Sequence, residues 1–283
     1  ELIDYQDYPV LAAETSTKNR RSLGIGYIGL AHFLAKNGLK YSEPAAAQMV
    51  HDLTEAFQYY LLKASNELAK EKGACGYFNR TKYSDGILPI DTYKKDVDDI
   101  VENELKYDWE SLRESILSYG LRNSTLSAQM PSESSSVVSN ATNGIEPPRG
   151  YLSVKKSKKG NLKQIVPQYN TLKNNYTLLW DMPGNEGYIK IVAVMQKFFD
   201  QAISGNWTYN PLHYPNREVP MSLITSDMLT TYKYGWKTSY YHNTYDHKSD
   251  QGDDELEEMK SELESLIAQL ENNEEDDCES CKI

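Results

Sequence analysis

Apolar positions follow a helical spacing along several stretches of the chain. Between residues 43 and 73 they recur every three or four residues, and Gly73 follows the last of them. This spacing places the apolar side chains on one face of a helix, and glycine commonly ends a helix. The same pattern predicts helices at residues 108–119, before Gly120, at residues 185–203 and at residues 220–234.

Two regions have the pattern of strands. Short apolar runs at residues 151–154 and 165–166 flank a lysine-rich segment that contains Gly160-Asn161. They predict a β-hairpin that turns at Gly160-Asn161, with its lysines in solvent. Residues 237–241 predict a further strand. Helices and strands together predict a mixed α and β fold.

Residues 121–150 form a long segment rich in Ser, Asn, Thr, Pro and Gly, which is a composition typical of a binding loop. Inside it, Met130-Pro131 and a run of serines precede Val137 and Val138. This order predicts a loop that enters the amino end of a helix, where backbone N–H groups favour an anion. Composition alone favours the simpler interpretation that Ser132 is an N-cap.

Charge divides the chain into two parts. Residues 247–283 hold 14 acidic and 3 basic side chains, so this tail carries the whole net charge of -11 of the 283-residue chain. The body, residues 1–246, is neutral and its sequence shows no basic face, which argues against nucleic-acid binding. In the tail, apolar residues from Leu256 to Leu270 fit either an amphipathic helix or a disordered linker.

The length allows one large domain or two ordinary ones. The sequence contains no apolar run of about 20 residues, the length that a membrane span requires. Three cysteines suit a reducing cytoplasm, where we expect the protein to be located. The start at Glu1, without a methionine, suggests a cut rather than a natural N-terminus.

Gly24-Ile-Gly26-Tyr-Ile-Gly29 matches the GxGxxG pattern of dinucleotide-binding proteins. That function requires a buried strand directly before the first glycine. The polar residues 17–22 cannot form such a strand. We therefore expect these glycines to allow close packing instead.

Two residue pairs are candidates for redox chemistry. The adjacent Tyr240 and Tyr241 can relay a radical, because each phenol can lose an electron and a proton together, although core packing is the simpler explanation of the pattern alone. Cys278 and Cys281 lie near the end of the tail and suggest a mobile redox pair. A zinc site would need two further ligands, and no second CxxC or His pair supplies them.

Several stretches resemble the large (α) subunit of aerobic class I ribonucleotide reductase. The resemblance rests on Leu121-Arg-Asn-Ser-Thr-Leu-Ser-Ala128, Met130-Pro-Ser-Glu-Ser-Ser-Ser136, Ser139-Asn-Ala-Thr-Asn-Gly-Ile-Glu-Pro-Pro-Arg149, Arg20-Arg-Ser-Leu-Gly-Ile-Gly26, Ile87-Leu-Pro-Ile-Asp-Thr-Tyr-Lys94, Gly235-Trp-Lys-Thr-Ser-Tyr-Tyr241 and Cys278-Glu-Ser-Cys281. It implies the second half of a ten-stranded α/β barrel in residues 1–246, followed by the flexible acidic tail.

The resemblance also implies an activity, the reduction of ribonucleoside diphosphates to deoxyribonucleoside diphosphates by a thiyl radical. Tyr240 and Tyr241 would be the last tyrosines of the radical path. Cys278 and Cys281 would re-reduce the active-site disulfide. The substrate phosphates would be held by Pro131, Ser132, Glu133, Ser134 and Ser135.

The implied partners are a small (β) subunit with a di-iron tyrosyl radical, thioredoxin or glutaredoxin, and the N-terminal part of the large subunit. That part would carry the radical cysteine, the active-site cysteine pair and most of the effector nucleotide sites, so no cofactor is expected in this chain. Cys75 matches a position without known chemistry. The two-residue spacing of the tail cysteines departs from the four residues of a bacterial form.

We therefore expect a large subunit whose N-terminal part is a separate polypeptide; a split gene product and a trimmed fragment both fit the sequence. The alternative is a non-catalytic assembly fragment of the same subunit. A thioredoxin-like protein fits less well, because only Lys282 and Ile283 follow the CxxC.

Overall fold

The computed structural model describes residues 1–157 and 160–245, together with Ser261 and Ser265. Its helices and strands are, in chain order, α1 (Leu2–Tyr5), α2 (Leu11–Arg20), α3 (Leu30–Lys36), α4 (Pro44–Lys72), α5 (Pro89–Thr92), α6 (Trp109–Tyr119), α7 (Glu133–Val138), β1 (Leu152–Ser157), β2 (Gly160–Ile165), α8 (Tyr169–Leu172), α9 (Glu186–Gln196), β3 (Ser204–Tyr209), α10 (Met221–Tyr234) and β4 (Thr238–Thr244). Within these ranges, no helix has both the length and the apolar character of a segment that spans a bilayer.

Four parallel segments lie side by side in the order in which they occur along the chain. Residues 23–25 pair with residues 125–129 through an Ile25–Ser127 bridge, and residues 125–129 pair with the approach to β3 through a Gln129–Ile203 bridge. Strand β3 then pairs with β4. Each of the three connections contains a helix, α4, α9 or α10, as parallel pairing requires.

The centre of the core is α9, which is apolar on all sides and packs against both α4 and α10. A helix of this kind is stable only when it is surrounded by other elements. Its fully buried side chains include Ile189, Ile191, Val192, Val194 and Met195. Helix α4 meets it with small residues, Ala46 and Ala47, so the two helices can approach closely. A second apolar cluster forms around Leu62, Trp109, Ile116, Leu121 and Phe198.

Most predicted elements are confirmed. Helices α4, α6 and α10 match their predicted ranges within a residue or two, and the Gly73 N–H closes α4 with a hydrogen bond of 2.8 Å to the Ala69 carbonyl. The hairpin forms from β1 and β2, but its predicted turn is wrong. Ser157 pairs with Gly160, so Gly160 and Asn161 belong to β2. Residues 158 and 159, which connect the strands, lie outside the described residues.

The predicted helix at residues 185–203 is too long, because α9 ends at Gln196. The Gln196 side chain supports the turn that follows. Its amide donates to the Gln201 carbonyl at 2.8 Å, and its oxygen accepts from the Ile203 N–H at 3.2 Å. The chain leaves the helix there because Ile203 must pair with Gln129 at the start of β3.

The GxGxxG glycines serve packing, as expected. Helix α2, not a strand, precedes them. A Cβ atom added to Gly26 would lie 2.5 Å from the Ala128 carbonyl oxygen, so only glycine allows the two segments to approach this closely. Gly29 has a φ of +81° at the start of α3, a conformation that favours glycine.

Candidate functional site

The carboxyl ends of the parallel segments carry the loop that the sequence marks as a binding loop. After residues 125–129 the chain passes through Pro131 into α7 and returns through Gly144 to Glu146. Ligands of parallel α/β folds bind at this edge, because the connecting loops meet there. The predicted position of the loop next to a helix start is confirmed.

Ser132 stabilises this loop by hydrogen bonds to another residue of the same loop. Its backbone N–H and its hydroxyl both donate to Asn143 Oδ1, at 3.2 and 3.1 Å. Ser132 occupies the N-cap position of α7, but its side chain makes no capping hydrogen bond. The simple N-cap interpretation is therefore wrong for the hydroxyl, which closes the loop instead.

The surface of the loop is polar and open to solvent. Pro131, Glu133, Ser134 and Ser135 are exposed, whereas Ser132 is buried beneath them. These four residues surround the amino end of α7, where a helix presents the N–H groups of its first turn. The loop can therefore offer hydroxyl and backbone donors to an anion without a large rearrangement.

Glycines attach the loop to the start of α3. The Gly29 N–H donates to the Thr142 carbonyl at 3.0 Å, and the Gly144 carbonyl accepts from the Leu30 N–H at 3.2 Å. Gly144 has a φ of +51°, and an added Cβ atom would lie 3.3 Å from the Ser132 hydroxyl. A larger residue would strain the turn that positions Ser132.

Tyr240 and Tyr241 lie in β4, with ring centroids 4.2 Å apart and planes at 56°. Neighbouring residues of a regular strand point to opposite faces. Here Ser239 pairs with Gly205 and His242 with Trp207, so the two tyrosines oppose the single residue Asn206. This bulge breaks the alternation and lets the rings approach each other.

Both rings are about half exposed, at 51% for Tyr240 and 58% for Tyr241. The adjacent Tyr240 phenol raises the pKa of Tyr241. The two rings therefore form a contact pair at the surface. By contrast, Tyr59 stacks on Tyr107 and packs against the cluster around Trp109, as expected. Core packing is wrong for Tyr60, which meets Tyr107 edge-on and is 54% exposed.

Asn206 joins the loop to the tyrosine pair. Its Nδ2 donates to Glu146, and its Oδ1 accepts from the Tyr241 N–H at 3.0 Å. Burial raises the pKa of Glu146, although the Asn206 hydrogen bond and the Arg149 charge oppose this. Asn206 belongs to no sequence motif and was not predicted. Its strand β3 also contains Ser204 and Thr208, so a polar residue there is no distinguishing signal.

Of the three cysteines, only Cys75 lies within the described residues. Cys75 is buried, and burial raises the pKa of its thiol, so the thiolate is disfavoured. Cys278 and Cys281, together with the tail segment in which a helix or a linker was predicted, lie outside the described residues. Among the residues that the structure does describe, no three His, Cys, Asp or Glu side chains form a group that could hold a metal ion.

Parallel segments paired in chain order, each connection carrying a helix, define a protein of the α/β barrel type, although the described segments do not close a barrel. A family model described as "Ribonucleotide reductase, barrel domain" matches residues 1–242. The chain belongs to this family. The resemblance inferred from the sequence motifs is therefore confirmed.

Named relatives agree with the family. The ribonucleoside-diphosphate reductase subunit alpha of Haemophilus influenzae is 60% identical over 253 residues, which cover 89% of this chain and 34% of the relative. The ribonucleoside-diphosphate reductase 1 subunit alpha of Escherichia coli is 60% identical over 252 residues, again 89% of this chain and 33% of the relative. The subunit alpha of Enterobacteria phage T4 is 45% identical over 100% of this chain and 35% of its own length. The chain thus spans about a third of the relatives it matches.

Proposed function

We propose that this chain supplies part of the large subunit of a ribonucleoside-diphosphate reductase, which converts ribonucleoside diphosphates into deoxyribonucleoside diphosphates. The observation that carries the proposal is the 60% identity to proteins named as the alpha subunit of this enzyme, over 89% of the chain. The relatives are about three times as long, so the complete activity needs further parts of the subunit.

In this proposal, residues Pro131 to Ser135 hold the phosphates of the substrate. The exposed serines and the amino end of α7 offer the donors, and the Ser132–Asn143 hydrogen bonds fix the loop beneath them. Glu133 is the one acidic residue of this segment. Its exposed position leaves room for it to turn away from a bound anion.

Tyr240 and Tyr241 are proposed to pass the radical. Their centroid distance of 4.2 Å supports this role, because it brings the two phenol rings into direct contact. The half-exposed surface of the pair fits a relay that receives a radical from another subunit. The partner is proposed to be a small subunit with a di-iron tyrosyl radical.

Cys278 and Cys281 are proposed to carry electrons to an active-site disulfide located elsewhere in the large subunit. Thioredoxin or glutaredoxin would then reduce the pair. Because a thiolate attacks a disulfide sulfur, this exchange needs an accessible pair, and two sulfurs separated by two residues can still close a ring. Replacing both cysteines by serine tests this role, since single-turnover reduction should persist while multiple turnover with thioredoxin is lost.

The separate N-terminal polypeptide stays a prediction from the sequence. To test it, the native complex is isolated through this chain, and the accompanying chains are identified by mass spectrometry. We expect a large-subunit N-terminal part, a small subunit, and nucleotide reduction by the mixture. Full activity of this chain alone would contradict the proposal.

The variant Tyr240→Phe distinguishes the reductase function from the alternative, a non-catalytic assembly part. We expect this change to abolish nucleotide reduction in the reconstituted complex, because phenylalanine keeps the ring but has no phenolic proton to transfer. Tyr60→Phe is the matched control, since this exposed tyrosine of the other adjacent pair lies outside the proposed path. Unchanged turnover in the Tyr240→Phe complex would favour the assembly role.

A further inference from the structure

A cavity of about 730 Å³ lies at the amino ends of the parallel segments, at the opposite edge from the loop. Its wall includes the residues that directly precede these segments: Ser22, Ser124, Asp200 and Lys237. It does not include any residue of the loop 130–146 or of the tyrosine pair. The cavity is therefore separate from the proposed reductase site.

Six cationic side chains line this cavity. Lys197 is buried and paired with Asp98. The other five are exposed to solvent, namely Arg20, Arg80, Lys82, Lys94 and Lys237. They come from the end of α2, from the turns that follow α4 and α5, and from the residue before β4. No two of them are neighbours in the sequence. The cluster is not visible in the sequence, because folding collects charges that the sequence scatters.

These cations lack acidic partners among the described residues. Arg20 and Arg80 lie over the Tyr77 ring at 5.5 and 4.1 Å, and Lys94 lies 5.0 Å from the Tyr232 ring. Contacts of this kind leave the positive charge uncompensated. Neither Lys82 nor Lys237 lies within 4.0 Å of a described carboxylate.

Asp200 is the one acidic side chain in the described wall, and its oxygens are already engaged. They accept hydrogen bonds from the Leu126 N–H at 2.8 Å, the Ser127 N–H at 3.1 Å and the Tyr83 hydroxyl at 3.0 Å. Burial and the nearby Lys82 lower the pKa of Lys237, and Asp200 opposes this only in part. The cavity therefore holds more positive than negative charge.

Lys and Arg donors that converge on one concave wall form the usual binding arrangement for phosphate groups. The volume lies in the range of about 300–1,000 Å³ that small-molecule sites occupy. Tyr83, Tyr93 and Trp236 add aromatic surface to the wall beside the cations. An extended nucleic-acid strand would need a continuous basic groove, whereas these charges surround a single cavity.

We propose that this cavity is a binding site for a small phosphate-bearing ligand, with Lys82 and Lys237 as its central donors. The basis for this site is the cavity and its charges alone, so the site does not depend on the proposed reductase function. Occupation of the site would compensate the repulsion between Lys82 and Lys237. Both edges of the parallel array would then bind phosphate, but through different chemistry.

The test is calorimetric titration of the full 283-residue chain with pyrophosphate. We expect saturable binding that weakens at least about tenfold in the double variant Lys82→Gln, Lys237→Gln, because each lysine supplies a charge-assisted hydrogen bond to the phosphate groups. Lys63→Gln is the control, since it removes an exposed lysine of α4 that does not line the cavity. Its affinity should stay within about twofold of the parent chain.

The melting temperature of each variant shows whether it folds. The double variant should melt no lower than the parent chain without ligand, because it removes two charges that repel each other. Arg80→Gln alone supplies a second variant and should also weaken pyrophosphate binding. Equal pyrophosphate affinity in parent and double variant, or absence of binding to the parent, would overturn the proposal. Tighter binding of a glutamate-rich peptide than of pyrophosphate at the same lysines would overturn it as well.

Discussion

The two edges of the parallel array differ in how their functional side chains are brought together. The candidate residues of the reductase site come from two short contiguous stretches, 131–135 at the carboxyl edge and 240–241 within β4. At the amino edge, five cations come from five separate positions between Arg20 and Lys237. Sequence motifs reveal a site of the first kind, whereas a site of the second kind exists only once the chain has folded.

The two edges also differ in the hydrogen bonds that stabilise them. The Asp200 carboxylate holds the amino edge together, because it accepts hydrogen bonds from two backbone N–H groups and two hydroxyls. The carboxyl edge depends on side chains that bridge loops, above all Asn206 between Glu146 and Tyr241. We expect substitutions at the amino edge to lower the free energy of unfolding more than substitutions at the carboxyl edge.

Asp200→Ala should produce the largest loss of stability. It leaves the N–H groups of Leu126 and Ser127 without partners, which should lower the free energy of unfolding by about 3 kcal/mol. Urea-induced unfolding measures the effect. Tyr83→Phe is the comparison, because it removes only one donor to Asp200 and should cost about 1 kcal/mol. Equal losses in the two variants would show that Asp200 does not fasten the edge.

Gly26→Ala should come next, at about 2 kcal/mol, because the new Cβ atom would lie 2.5 Å from the Ala128 carbonyl oxygen. Gly24→Ala is matched in chemistry and lies in the same motif, but its Cβ atom would meet its nearest neighbour, Ala128 Cβ, at 3.6 Å. We expect it to unfold within about 0.5 kcal/mol of the parent chain. If both variants behave alike in urea unfolding, close packing does not explain the motif.

Glu146→Gln should have a smaller effect that depends on pH. Burial raises the pKa of Glu146 above its ordinary value of 4.5, so the folded chain binds this proton more tightly than the unfolded chain. The carboxyl group therefore costs stability as pH rises above 4.5, and glutamine removes that cost. The stability of the variant relative to the parent should increase by up to about 1 kcal/mol between pH 4 and pH 8. A difference that is the same at every pH would contradict this.

Asp4→Asn should have the smallest effect. The Arg21 hydrogen bond lowers the pKa of Asp4 from 3.8 to about 2. The ion pair, with 2.6 Å between Arg21 Nη2 and Asp4 Oδ2, therefore stabilises the fold above pH 3.8, and the contribution is lost as pH falls towards 2. Melting temperatures of parent and variant should differ slightly at pH 6 and converge at pH 2. Asp7→Asn, at an exposed position nearby, should show no such convergence.

The sequence predicted the long elements well and their ends less well. Periodicity located α4, α6 and α10, because a buried face imposes a regular spacing over many residues. It placed the end of α9 seven residues too late, since apolar residues recur after the helix has ended, at Phe198, Phe199, Ala202 and Ile203. The helix ends before Ile203 because Ile203 pairs with Gln129. A local sequence pattern carries no information about a partner so distant in the chain.

For the candidate site too, the sequence predicted some features and missed others. The serine loop and the tyrosine pair were visible as motifs, but the proximity of the two rings depends on a bulge opposite Asn206. Regular alternation would have placed the rings on opposite faces of β4. The roles of these residues and of Cys278 and Cys281 stay predictions that the experiments above address.

By itself, the sequence determined the family, the main helices and the two contiguous stretches of the candidate site, because each depends on residues close together in the chain. The tertiary structure alone decided which segments pair, how Asn206 connects the loop to the tyrosines, and where the basic cavity lies. The physical reason is the same in each case. Parallel pairing joins segments about 100 residues apart, such as Ile25 and Ser127, and only that pairing gathers the scattered charges around one cavity.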